Sequence, residues 1–146
     1  MSYTYEWPRP ALTVDAVVFR RKEKKVEVLL IRRKHYPFEG MWALPGGFMD
    51  MDETCEEAVY RELEEETHLT GVKLQQLHTF GKPGRDPRGR TVSVVFWGVA
   101  PVDNSAVEAG DDAAFAEWID VNFLPEIAFD HAIPIQMALK RLNQLA

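Results

Sequence analysis

The sequence predicts a single-domain α/β (α+β) protein, a sandwich built around a mixed β-sheet. Three observations carry this reading. Strand-like runs cluster at both ends of the chain, one strongly helical segment interrupts them, and an amphipathic segment closes the chain. Such an arrangement buries one face of each helix against a sheet.

The elements follow in order. Residues 1–10 hold two prolines and three aromatics and read as an extended N-terminal arm, leaving 11–146 as the domain. Residues 12–21 alternate loosely and are rich in β-branched side chains, and 26–33 form a second such run. The charged stretch Lys22-Glu23-Lys24-Lys25 between them marks a β-hairpin. Trp42-Ala43-Leu44 reads as a short strand stopped by Pro45-Gly46-Gly47. Residues 54–67 are the clearest helix, because Thr54 and Glu57 have the spacing of a capping box. Residues 72–80 and 91–100 read as strands joined by a loop, and 115–119 as another short strand. In 133–145 the residues Ile135, Ala138, Leu139 and Leu142 fall at helical spacing.

Composition excludes several function classes. At 146 residues the chain is long enough to bury one sizeable core. No apolar run reaches the roughly 18 to 20 residues that span a membrane. The N-terminus has neither a basic nor an apolar leader segment. The single cysteine, Cys55, cannot close an intrachain disulfide, which fits a reducing compartment such as the cytoplasm. A net charge of -6 argues against a general nucleic-acid binder. That charge is concentrated: nine acids and one base, Arg61, lie between Asp50 and Glu66, so the rest of the chain is slightly basic.

Acids on a helix usually form a wet face, and helical phase separates two groups here. At ~100° per residue, Glu62, Glu65 and Glu66 continue the apolar face of Cys55, Ala58 and Val59. Glu56, Glu57 and Glu64 fall on the opposite side. Three inward carboxylates within one turn repel each other and need a cation. One arginine, able to pair with Glu57 or Glu65, is little compensation. A hard divalent ion such as Mg²⁺, which takes oxygen ligands and shares its shell with water and phosphate, fits the spacing.

These residues carry a resemblance. Gly47, five residues, Glu53, seven residues, then Arg61-Glu62-Leu63-Glu64-Glu65-Glu66 with Leu69 closing is similar to the signature of the Nudix hydrolases. One position departs from it: His68 stands where the family usually has glycine. Glycine there would supply a left-handed helix end, so His68 is expected to push the end toward Gly71. The resemblance implies an α/β/α sandwich with a mixed sheet, and hydrolysis of a diphosphate linked to another moiety with Mg²⁺ or Mn²⁺. By position it makes Glu62, Glu65, Glu66 and the carbonyl of Gly46 metal ligands, and Glu53 and Arg61 supports for the helix.

Outside the box, Trp42 to Gly47, the loop 81–90, Ala109-Gly110-Asp111-Asp112-Ala113 and Ala128-Phe129-Asp130-His131 resemble the ADP-ribose pyrophosphatase branch. The implied substrate is a nucleoside diphosphate derivative, with no nucleic-acid or membrane partner and a homodimer as the expected assembly. Some relatives add a DNA-binding domain, for which 146 residues leave no room. The general base stays open among Glu66, Glu108, Asp111 and Asp112. The loop 81–90 holds four bases and one acid, so Arg85 or Arg88 is expected to contact phosphate or the terminal ribose. Trp7, Tyr36, Phe38 and Trp42 are candidate shelves for adenine, and Phe48 a further substrate contact. A ligand-binding sensor without catalysis and a nucleoside triphosphate pyrophosphohydrolase are the rival readings.

Overall fold

A computed structural model of the chain describes residues 2–110 and 113–145. Asp111 and Asp112, two of the candidate bases, lie outside the described residues.

The order is β1 (Ala11–Lys22), β2 (Lys25–Arg33), β3 (Trp42–Ala43), β4 (Gly46–Phe48), α1 (Cys55–Thr67), β5 (Gln75–Phe80), β6 (Thr91–Val99), β7 (Ala113–Asp120) and α2 (Ala132–Asn143). One sheet runs β3-β2-β1-β6-β5, with β4 beside β1 and β7 beside β2. β1 and β6 are parallel, with Ala11 opposite Thr91, and the other pairs are antiparallel. The expected mixed sheet is therefore present.

β1 is buried from Thr13 to Phe19 without a break, because both of its faces are covered. Val14, Ala16 and Val18 pack with Leu29, Val94 and Phe96 against Ala58, Val59 and Leu63 of α1. Val17 and Phe19 pack with Val28, Leu30 and Trp97 against Ile135, Ala138 and Leu142 of α2. Alternate side chains of one strand thus serve two cores, giving an α/β/α sandwich.

Three expectations need correction. Pro45-Gly46-Gly47 ends β3 as expected but is not a plain turn: the Ala16 N–H donates to the Pro45 carbonyl at 2.9 Å, and Gly46–Phe48 forms a new strand, β4, along β1. β5 starts at Gln75 rather than at 72. Residues 72–74 instead cross over β6, so closely that a Cβ on Gly98 would lie 2.3 Å from the Lys73 carbonyl oxygen. The Tyr60 hydroxyl takes up the Leu74 N–H there.

α1 ends at Thr67, and the expected shift toward Gly71 does not occur. His68 itself adopts the left-handed conformation, φ 62°, and its N–H reaches the Glu64 carbonyl. At the other end the capping box is complete: the Glu57 N–H donates to Thr54 Oγ1 and the Thr54 N–H to Glu57 Oε1.

Candidate active site

β4 and α1 face each other across the edge of the sheet, and the box residues meet there. Arg61 is the hub. Its guanidinium grips Glu53 with two hydrogen bonds of 2.9 and 2.6 Å, and donates to Glu62 at 2.9 Å, Glu65 at 3.1 Å and the Phe48 carbonyl at 3.2 Å. The Arg61 bonds, with an N–H from Asp50, hold the Glu53 carboxyl down to about 2. The same pairing with Glu53 raises Arg61 above its ordinary value. Burial pushes the Glu62 carboxyl up, and Arg61 opposes that push. Arg61 therefore compensates more of the acidic block than its sequence suggested. Of its two expected i,i±4 partners it takes Glu65, because Glu57 is held in the cap.

The inward trio is divided. Glu66 is buried and Glu62 nearly so, but the Glu65 side chain is 59% exposed. Leu63 and Thr67 are also buried, which rotates the inward face of α1 away from Glu65 and leaves it at the rim. Glu66 Oε1 accepts the Gly46 N–H at 2.6 Å. Glycine at 47 makes room for Glu62: a Cβ there would lie 2.7–2.8 Å from its carboxylate atoms.

Two adjoining hollows share Ile31, Arg33, Gly46, Gly47, Glu66 and Arg88. The outer one, about 330 Å³, also takes in Phe48, Asp50, Arg61 and Glu62. The inner one, about 60 Å³, reaches Asp15, Arg85, Asp86, Phe129 and His131. On its floor the buried Asp15 accepts the Ser93 hydroxyl and lies 3.7 Å from His131 Nε2. The Leu44 N–H donates to His131 Nδ1, and burial lowers the His131 pKa. This assigns a neutral ring with its proton on Nε2, toward Asp15.

The basic loop contributes unequally. Arg85 is buried, and Asp130 takes up its fork at 2.9 and 2.8 Å, so it ties the loop to the start of α2. Arg88 is exposed, pairs with Asp86 and lies 4.8 Å from the centre of the Phe48 ring. Burial alone would raise the Asp86 carboxyl, but hydrogen bonds from Arg88 outweigh it and hold the pKa below the ordinary value.

Trp42 lies outside both hollows. It packs against the α2 core from β3, which pairs with β2 on the same edge as β1, opposite β7. Trp7 and Tyr36 are exposed, and Phe38 packs on Phe129. Cys55 is half-buried beside Met49. Glu108 is exposed, and its N–H is tied to the Thr67 carbonyl at the end of α1. Sequence reasoning missed Asp15, Arg33, Ser93 and Asp86. The polar Thr13 and Asp15 inside an apolar strand were the signal for Asp15.

Among the described residues no three His, Cys, Asp or Glu side chains stand close enough together to hold a metal ion. The donors nevertheless suit a hard cation: carboxylates of Glu62 and Glu66, and glycine backbone that leaves space beside them.

A NUDIX domain pattern matches residues 9–137. The chain belongs to the Nudix family. It is 48% identical over 122 residues to the ADP-ribose pyrophosphatase of Methanocaldococcus jannaschii, covering 84% of this chain and 69% of that protein. It is 34% identical over 143 residues to the ADPR responsive transcriptional repressor NtrR of Acinetobacter baylyi, covering 94% of this chain. The chain spans only 56% of that repressor's length. Among solved structures, the NUDIX domain of Shewanella oneidensis NrtR complexed with ADP ribose superposes with a TM-score of 0.86 at 36% identity, covering 93% and 90% of the two chains. A MutT/nudix family protein from Enterococcus faecalis gives 0.87 at 32% identity, covering 98% of this Nudix chain and 66% of its own. No helix among the described residues is long and apolar enough to cross a membrane.

Proposed function

We propose that this Nudix chain hydrolyses the pyrophosphate of a nucleoside diphosphate joined to another moiety, with ADP-ribose, yielding AMP and ribose 5-phosphate, as its first substrate. Water adds across the P–O–P bridge: one phosphorus gains the hydroxyl, and the bridging oxygen leaves with the other phosphate and takes up a proton. The observation that carries this reading is the placement of Glu62 and Glu66 in the same cleft as Arg33 and Arg88, acids and bases facing one volume. Identity to an ADP-ribose pyrophosphatase supports the substrate.

Glu62, Glu66, Glu65 and the Gly46 carbonyl would hold Mg²⁺ or Mn²⁺. Such an ion supplies Lewis-acid polarisation of phosphorus and lowers the pKa of a bound water. Arg61, clamped by Glu53, fixes the rotamers of Glu62 and Glu65 and acts as a positioning residue. Arg88 and Phe48 contact the substrate at the mouth of the cleft, while Arg85 shapes the loop through Asp130. Glu66, Glu108, Asp111 and Asp112 remain the candidates for the base. Full rates in each of Glu108→Gln, Asp111→Asn and Asp112→Asn would remove the late loop from that role.

A second reading has its own support. Similarity to an ADP-ribose-responsive repressor over most of this chain favours a sensor that binds ADP-ribose without cleaving it. One panel separates the readings: ADP-ribose, NADH, UDP-glucose, dinucleoside polyphosphates and dNTPs with Mg²⁺, and Glu62→Gln as control. Turnover of ADP-ribose that the control abolishes supports the hydrolase. Saturable ADP-ribose binding without turnover of any substrate supports the sensor, and preference for dNTPs would overturn both.

A further inference from the structure

Four arginines line the cleft, and three already have carboxylate partners. Arg61 holds Glu53, Arg85 holds Asp130, and Arg88 holds Asp86. Arg33 differs. It is half-buried, and no carboxylate of the described residues lies within ion-pair distance of it. Its Nε donates to the Pro37 carbonyl, while its guanidinium lies 5.0 Å from the centre of the Phe129 ring. Arg88 lies 5.4 Å from the same ring. Two cations therefore share one aromatic ring beside a cleft. Burial, and then the neighbouring Arg88, depress the Arg33 pKa, while the carboxylates of Glu66, Asp86 and Asp15 oppose them in part from beyond ion-pair distance. A phosphate accepting directly from the Arg33 fork would offset the remaining cost of burial and of the Arg88 charge.

The framework around this ring is strained. Phe129 and Phe38 both hold left-handed backbone, φ 56° and 58°, which bulky side chains rarely adopt. They meet edge to face with centroids 4.8 Å apart. The loop carrying Phe38 is pinned at both ends, since Arg33 N–H donates to the Met41 carbonyl and Gly40 N–H to the Arg33 carbonyl. Strain that the surroundings impose at a cleft marks a position held for use.

We propose that Arg33 is a specificity-determining residue whose guanidinium fork receives a phosphate of a diphosphate-bearing ligand, with Phe129 as its platform. This rests on the diphosphate chemistry proposed above for the same cleft. Arg33 and the acids Glu62 and Glu66 line one hollow, so a diphosphate has room to reach both. The fork matches phosphate geometry in a way that an ammonium does not.

The test is calorimetric titration of inorganic pyrophosphate into the Mg²⁺-supplemented protein, beside ADP-ribose kinetics. Arg33→Ala should weaken pyrophosphate binding at least 10-fold and raise KM for ADP-ribose equally, with kcat within 3-fold of wild type, as lost uniform binding requires. Arg33→Lys, which keeps charge and a donor but not the fork, should weaken both about 5-fold. If Arg33 only anchors the loop through Pro37, Arg33→Lys keeps wild-type pyrophosphate affinity, and the proposal falls. Pyrophosphate affinity within 2-fold of wild type in a folded Arg33→Ala overturns it as well. A wild-type protein that binds pyrophosphate but cleaves no substrate overturns the hydrolase reading alone. The loss on Arg33 substitution would then still support the fork.

Discussion

Gly46 and Gly47 are neighbours in β4, and a methyl group on each should fail differently. At Gly47 an added Cβ would lie 2.7–2.8 Å from Cδ and both oxygens of Glu62. Ordinary contact between such atoms is ~3.5 Å or more, so the carboxylate must retreat by ~0.7–1 Å. It is the far end of a side chain and can move, so overpacking should cost only about 1 kcal/mol. Its place in the cleft is what changes, and a misplacement of this size costs roughly 100-fold in rate. Gly47→Ala is therefore expected to melt within about 4 °C of wild type while losing about two orders of magnitude in ADP-ribose hydrolysis. At Gly46 the Cβ would lie 2.2 Å from the Val14 carbonyl oxygen and 2.8 Å from Asp15 Cα, which is sheet backbone. Gly46→Ala must separate β4 from β1, and the expected result is a loss of about 3 kcal/mol or more in urea unfolding. Steady-state kinetics and thermal melts on the two variants decide the matter. A Gly47→Ala protein with wild-type rate would show that the position of Glu62 does not govern the chemistry. One that melts as low as Gly46→Ala would show that the space beside Glu62 is structural.

Three further outcomes are expected. His68→Gly should raise stability by about 1 kcal/mol, because it relieves a left-handed residue at the end of α1, and the melting temperature should rise by about 2–4 °C; an unchanged or lower melt refutes the strain. Arg85→Ala should lower unfolding stability by about 3 kcal/mol, since it leaves Asp130 without its partner in a largely buried pair; a loss confined to KM would instead return Arg85 to direct substrate contact. Glu53 has a depressed folded pKa, so its contribution is full above the ordinary carboxylate range and fades as pH falls toward about 2. The stability gap between wild type and Glu53→Gln should be constant above about pH 5 and close in acid, and a gap that widens in acid would reverse the sign of this argument.

Local signals were the ones that could be read without coordinates. Thr54 and Glu57 announce the start of α1 within four residues, and the charged turn at Glu23-Lys24 closes the first hairpin. Both depend only on near neighbours in the chain. The cleft was legible where one helix supplied it, through Arg61, Glu62 and Glu66. Phase arithmetic misjudged Glu65, because a wheel centred on Cys55, Ala58 and Val59 omits the pull of Leu63 and Thr67 toward the core. Arg85 looked available because its partner, Asp130, is 45 positions away. Arg33 and Phe129 come from a strand end and a helix entry and meet only in three dimensions. No spacing rule brings them together.

The parallel pairing of β1 with β6 has a consequence for how the molecule assembles. Ala11 finds Thr91 about eighty positions later in the chain, so the central contact of the sheet closes a long loop. On a growing chain the hairpin of β1 and β2 and the acidic helix exist before that partner has been made. Until β6 arrives, the apolar strand in the middle of the sheet has an open edge, and Asp15 on the floor of the cleft lacks the Ser93 hydroxyl that donates to it. The slow step of folding should therefore be the docking of β6, with the acidic cleft completed only afterward.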